Sequence, residues 1–314
     1  MKRICKRKVI IDAFTVCCEV ENSVLFDKIA SLEFGENMEF EHFTLTRTDG
    51  RYYNHIYSIT YNDCGEIKTF GQLKFGLNNG NDEAHDNGKP KAWITVDNTA
   101  LYSQAICYLG YICEILHLNV HNYTSIDLCK DTPFDVSRAL HRLYRNKSIT
   151  TILNGKRIIN RDEDRPEISR TLSGSLNKDK YQTIYVKQRN AIRDKYAGVT
   201  IKTYDKLAEI LNASEKEYIL DYYSNPTKLY RTEVHLNNAD IKEYLQSHNI
   251  DLNPYMMDNA VLEAMFFDYL NRVIRFQDGN VQITWEQLLG AELHLDRCIT
   301  TPSVNIYIFD VTCY

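Results

Sequence analysis

GVTIKTYDK (198–206) reads as a β-strand with two unlike faces. Side chains alternate across a strand, so residues two apart share a face. Val199, Ile201 and Thr203 therefore look one way, and Thr200, Lys202, Tyr204 and Lys206 the other. Three neighbouring stretches have the same character. In TSIDLCKD (124–131), Ile126 and Leu128 oppose Asp127, Cys129 and Asp131. In KYQTIYVKQR (180–189), Thr183, Tyr185, Lys187 and Arg189 share a face. In KLYRTEVHL (228–236), Tyr230, Thr232, Val234 and Leu236 oppose Arg231, Glu233 and His235. If these four strands pair, their polar faces collect acids, cations and tyrosines on one surface of one sheet.

Outward from these runs the pattern is mixed. VIIDAFTVCCEV (9–20) reads as a first strand and about 22–32 as a short helix. From 40 to 98, EHFTLTRT, RYYNHIYSITYN, EIKTFGQLKFGL and KAWITVDN alternate in short runs separated by turn signals, as in an antiparallel meander. ALYSQAICYLGYICEILH (100–117) has apolar residues at helical spacing. PFDVSRALHRLYRN (133–146) reads as a helix starting on Pro133. Residues 154–180 are polar and poorly periodic and read as a long basic loop, and 204–224 carry a helical pattern. After Leu236 helical patterns take over, leading to the strand-like SVNIYIFDVTCY (303–314). Helices mixed with antiparallel runs predict an α+β fold. Its sheet spans 1–236, and 237–314 form a mainly helical C-terminal extension.

The 314 residues are 44% hydrophobic and 25% charged, enough apolar material for a real core, which excludes a mainly disordered chain. No stretch approaches the roughly 18 apolar residues of a membrane span. Lys2, Arg3, Lys6, Arg7 and Lys8 mimic a signal n-region, but Asp12 and Glu19 interrupt the adjoining apolar run and no small-residue cleavage site is present. Nine cysteines, none in a CxxC pair, fit neither a disulfide framework nor a zinc site, and point to reduced thiols in the cytoplasm. The formal net charge is −5, yet residues 138–206 hold 17 Lys+Arg and 7 Asp+Glu, a net +10. A block this polarised suits a phosphate backbone as well as it suits a solvated loop. Arg157, Arg161, Arg165 and Arg170 lie within it as DNA-binding candidates.

The polar faces form a chemically coherent set. A tyrosine can attack a phosphodiester if cations favour the phenolate and stabilise the charge building on phosphorus. Carboxylates on neighbouring strands are hard oxygen ligands suited to Mg²⁺ or Mn²⁺. Each residue also has a plainer reading. With 22 tyrosines, most pack or hydrogen-bond; Asp127 can cap a turn, Asp131 can pair with Lys130 or Arg138, and Arg231 and Glu233 can form cross-strand ion pairs. His117 and His121, the nearest approach to a two-histidine metal motif, read as ordinary polar histidines.

SIDLCKD (125–131), TIYVKQR (183–189), VTIKTYDKLAE (199–209) and YRTEVHL (230–236), in this order, resemble the replication initiation factor family. Its members are rolling-circle plasmid and phage initiators and related relaxases, and VIIDAFTV (9–16) matches its initial strand. The resemblance covers roughly 8–236. It implies an antiparallel sheet of two related β-α-β-type halves, here about 1–117 and 118–236, forming a nicking and joining domain. It implies Tyr204 as the catalytic tyrosine, Asp127 and Glu233 as metal ligands with Asp205 or Asp131 as a third, and phosphate contacts from Lys206, Lys202 and Arg189. Lys187-Gln188 replaces the family's Gly-Ser before Arg189, with Lys187 in place of that backbone approach to DNA, and Arg231 adds a further cation. The implied activity is rolling-circle initiation at an origin hairpin, giving a 5′-phosphotyrosine and a free 3′-OH. The implied partners are origin DNA, a host helicase and polymerase, and a second copy of the chain. The alternatives are a conjugative relaxase of the same family and a non-catalytic DNA-binding regulator.

Overall fold

The computed structural model describes residues 8–77, 89–103, 105–159, 172–175, 183–190, 195–250 and 259–290. The fold is α+β with antiparallel sheet, as expected. It comprises two compact units: Ile11–Asp127 with Leu236–Asp258, and Leu128–His235 with Asn259–Tyr314 and the first ten residues.

In the 11–127 unit the strands are β1 (Ile10–Val20), β2 (Asn37–Glu39), β3 (Phe43–Thr48), β4 (Tyr53–Asp63), β5 (Glu66–Leu77) and β6 (Lys91–Val96), in the spatial order β1-β6-β5-β4-β3-β2. All neighbours in this series pair antiparallel. Phe14, Val16, Leu45, Tyr57, Leu73 and Ile94 are buried on one face, where α1 (Ser23–Ala30) docks. The Tyr57 hydroxyl donates to the Ile29 carbonyl at 2.6 Å, tying that helix to the meander. The single helix expected over 100–117 is instead two: α2 (Asn98–Tyr102) and α3 (Tyr108–Ile115), with a 3₁₀ turn at Ala105–Cys107. The Ser103 hydroxyl bonds back to the Ala100 carbonyl and closes α2. Strand β7 (Leu118–Thr132) is far longer than TSIDLCKD, because it starts soon after His117, whose φ of 51° turns the chain out of α3.

Gly71 of β5 lies at the irregularity between Ile59 and Thr60 on β4, and β6 passes close on its other side. A Cβ there would sit 2.1 Å from the Thr95 carbonyl oxygen, a backbone atom that cannot swing away. Gly71→Ala should therefore destabilise the protein by about 1–3 kcal/mol through overpacking. Chemical denaturation checks this, and an unchanged midpoint would show that β5 and β6 can separate at no cost.

Among its described residues the second unit holds two sheets. One has the order β10 (Leu172–Ser175), β11 (Thr183–Asn190), β12 (Lys195–Asp205), β13 (Tyr230–Asn237), then β7 through its residues from Leu128 onward. The other is β15 (Val281–Ile283), β14 (Ile274–Asp278), β8 (Ile149–Leu153), β9 (Lys156–Ile159). β9 and β10 lie inside the stretch 154–180 expected to be loop, and β8 ends just before it. Asn154 and Gly155, with φ of 50° and 79°, form the two-residue turn that an Asn-Gly hairpin requires. Helix α4 (Val136–Arg145) does not start on Pro133: the Asp135 carboxylate accepts from the Arg138 amide and caps it. An N-cap acceptor outranks a proline two residues earlier, because it satisfies a helix N–H that proline leaves open.

The apolar side of the β11–β12–β13 sheet carries Ile184, Val186, Val199, Ile201 and Val234, all buried. Helix α4 meets it, with Ser137 Oγ 3.1 Å from Thr203 Oγ1. From β7, Lys130 reaches Glu263 at 2.9 Å and lies over the Phe267 ring, both on α8 (Asn259–Val273). The chain leaves β12 through two short helices, α5 (Lys206–Ala213) and α6 (Tyr218–Tyr222), and leaves β13 into α7 (Asn238–His248). Helix α9 (Trp285–Gly290) comes after the second sheet, with Trp285 donating from Nε1 to the Ile274 carbonyl at 2.9 Å. Among the described residues no helix is long and apolar enough to cross a membrane, and none of Cys17, Cys18, Cys64, Cys107, Cys113 and Cys129 is in a disulfide. The strand-like 303–314 lies outside the described residues.

Candidate active site on the polar face of the sheet

Register fixes which side chains meet. Directly opposed residues of an antiparallel pair share a face. Thr183, Tyr204 and Arg231 form one row across β11, β12 and β13; Tyr185, Lys202 and Glu233 form the next; Thr200 and His235 form a third. In this unit the register thus puts Tyr185, Lys202, Tyr204, Arg231, Glu233 and His235 on one face.

Exposure rises along the face. In the first row Tyr204 is 3% exposed and Arg231 fully buried; in the second, Tyr185, Lys202 and Glu233 are half-buried; in the third, His235 is exposed. The Tyr204 ring is anchored at the closed end, and its hydroxyl reaches forward to donate to Glu233 Oε2 at 3.0 Å. The Lys202 ammonium lies 4.2 Å from the ring centroid and that of Lys206 5.6 Å, so positive potential flanks the ring. Three other tyrosines of this unit are disfavoured as phenolates. Burial, reinforced by nearby carboxylates, raises the pKa of Tyr223, of Tyr222 beside Cys129 and Asp131, and of Tyr230 beside Asp135 and Asp205.

Several sequence expectations are corrected. Arg231 does not face a ligand: its Nε and Nη2 donate to Asp131 Oδ1 and Oδ2 at 2.7 and 2.6 Å, and both side chains have no exposure. Asp131 is accordingly committed to that pair and is withdrawn as a metal ligand. Asp205 is the N-cap of α5, accepting from the Ala208 amide at 2.9 Å. Lys206 is 1% exposed, and its ammonium pairs with Glu209 at 2.7 Å, so it presents no surface to a phosphate. Alternation identifies the face of each of these residues but cannot tell how deeply its row is covered.

Asp127 is half-buried and is the last residue of the other unit's segment. Arg157 is exposed on β9. Arg161, Arg165 and Arg170 lie outside the described residues, as do the side chains of Lys187 and Arg189, whose backbones belong to β11. His117 and His121 have separate roles: His117 turns the chain, and His121 Nδ1 lies 3.4 Å from Glu19. Among the described residues no cluster of three or more His, Cys, Asp or Glu stands ready for a metal. Four residues of the face have no role assigned from sequence: Thr183, Thr200, Tyr185 and His235, of which the aromatic pair is best suited to contact a ligand. The signal for both is their i±2 relation to the motif residues.

No family model matches the chain, and no curated protein matches it. A similar solved chain is the structure described as a rolling circle replication initiator protein from Geobacillus stearothermophilus. The two are 10% identical with a TM-score of 0.43, over 87% of this chain and 89% of that one.

Proposed function

We propose that the chain is a tyrosine DNA-nicking and joining enzyme that initiates rolling-circle replication. The observation that carries this is the Tyr204 hydroxyl bonded to Glu233 beside the Lys202 ammonium, at the point where the face opens to solvent. Two of the four ordered sequence motifs, VTIKTYDKLAE and YRTEVHL, carry these residues. In the proposed reaction Glu233 takes the phenolic proton as the Tyr204 oxygen attacks the scissile phosphorus. A new P–O bond forms to tyrosine, the P–O3′ bond breaks, and the leaving oxygen acquires a proton as a free 3′-OH. Lys202 offsets charge on the phosphorane. One phosphodiester replaces another, so the reverse reaction rejoins the strand. A free 3′-OH is what a polymerase extends, which makes a polymerase and a strand-separating helicase the expected partners.

Mg²⁺ or Mn²⁺ is part of this proposal. Magnesium is held by one or two carboxylates plus substrate phosphate rather than by a closed protein cage. Glu233 is an acid of this unit that stands on the half-buried row, and a metal bound there would polarise the phosphate.

Glu233→Gln keeps the shape and an acceptor oxygen but removes both the base and the anionic metal ligand. Nicking should fall about 10²–10⁴-fold, and the acidic limb of the pH–rate profile should disappear. A variant that nicks at the wild-type rate with an unaltered profile would remove Glu233 from the chemistry.

A further inference from the structure

We propose that the polar face of the sheet in the 11–127 unit binds a single strand of nucleic acid, with a base stacked on Trp93 and phosphate held by Lys74. The site is separate from Tyr204 and does not rest on its chemistry.

The sequence of this unit works against such a site on average. Residues 11–127 carry 17 Asp+Glu and only 7 Lys+Arg. The register nevertheless segregates them. Thr46, Ser58, Gln72, Thr95 and Thr15 stand opposite one another across β3, β4, β5, β6 and β1, and in the adjacent row Lys74 faces Trp93. These side chains keep solvent exposure, in contrast to the buried opposite face. Across those five strands the face holds one acid, Glu19, and it is already neutralised: Lys91 lies 2.8 Å from it and Lys89 3.2 Å. An otherwise acidic unit thus presents one positively biased face.

Lys74 is the second observation. It is half-buried, its ammonium contacts the Thr95 hydroxyl at 3.3 Å, and burial lowers its pKa with no carboxylate offsetting that cost. Among the described residues it belongs to no ion pair, so an anion brought to it supplies one. Its neighbour Trp93 is half-buried, with the Tyr53 ring 5.4 Å away, which holds the indole in place. A flat pleated surface with cations, hydroxyl and amide hydrogen-bonding groups and a fixed aromatic matches the needs of unpaired nucleotides. Phosphate takes the cation, a base stacks on the ring, and base edges find donors and acceptors. A duplex keeps its bases inside and cannot use the indole. Five strands at about 4.8 Å spacing give a platform on the order of 20 Å across.

The chain has two tryptophans, and Trp285 is 1% exposed, so emission changes on binding report Trp93. The test titrates a 5′-labelled oligodeoxynucleotide of about twelve residues, within the range of single-strand site sizes. It uses the full chain carrying Tyr204→Phe, so that no covalent adduct contributes, and tracks tryptophan emission and label anisotropy. Saturable binding with quenching is expected. Trp93→Ala should weaken it about tenfold, the scale of one stacked base, and Trp93→Phe should recover part of the loss. Lys74→Gln should reduce the slope of log K against log salt by about 0.7, one single-strand phosphate contact. Circular dichroism confirms that each variant is folded. Unchanged affinity and slope in folded variants would overturn the proposal, as would equal competition by duplex. The same oligomer in ribonucleotide form decides whether DNA or RNA is the preferred strand. Trp93-dependent binding without adduct formation by the wild type removes the nicking reading alone; adduct formation with Trp93-independent binding removes this site alone.

Discussion

Tyr204→Phe is expected to abolish the covalent protein–DNA adduct and to lower nicking by on the order of 10⁴–10⁶-fold, the scale seen when a nucleophile is deleted. Phenylalanine fills the same buried volume and keeps Lys202 over a ring, so the loss is one of a single oxygen and its bond to Glu233. The measurement is intact mass after incubation with supercoiled and single-stranded DNA of the parent element, with Mg²⁺ or Mn²⁺ and with EDTA. An adduct that maps to Tyr204 and disappears in the variant and with EDTA establishes nucleophile and metal dependence together. An adduct on Tyr185 would retain the enzyme class and move the attack one strand over, since Tyr185 is on the same face opposite Lys202. DNA binding with no adduct in the wild type would leave a non-catalytic DNA-binding protein.

The second large effect concerns stability. Asp131→Ala leaves the Arg231 guanidinium buried without its carboxylate. Removing one partner of a buried pair costs about 3–5 kcal/mol, because the remaining charge stays desolvated. Tm should fall by roughly 10 °C at about 2–4 °C per kcal/mol. Replacing both partners, Asp131→Leu with Arg231→Met, should restore most of the loss, since two apolar side chains need neither solvation nor each other. A single variant as stable as wild type would show that water or an ion reaches Arg231. The pair matters to the site because Arg231 stands opposite Tyr204 on β13. Tyr223 is held un-ionised against the same Asp131 by burial and by that carboxylate.

The two-residue period is legible in the sequence. It locates β11, β12 and β13 and puts Tyr204, Lys202 and Glu233 on one face, because pleating is a local property of each strand. Depth is not legible: Asp131 and Arg231 are 100 positions apart, and only the finished sheet shows that each is the other's partner. Lys206 and Asp205 depart from expectation for a related reason. The strand ends at Asp205, where a helix cap takes over, so the last two residues of the motif answer to helix geometry. The β8–β9 hairpin does have a local signal, since Asn154-Gly155 between alternating runs is a strong turn marker. The basic, polar composition of the surrounding stretch masks it and suggests a loop. The division of 100–117 into two helices has no comparable marker in the sequence.

Tyr204 is the penultimate residue of a strand whose next residue caps a helix. Its backbone is pinned by the β11 and β13 pairings, and just beyond it by the hydrogen bonds of α5. Two torsions remain to the phenol, and packing at 3% exposure leaves them little range. For the nucleophile proposed above, orientational entropy is therefore surrendered when the chain folds rather than when a substrate arrives. Catalysis of this kind would show a small activation entropy attributable to the protein, and would tolerate poorly any substitution that lets the strand–helix junction flex.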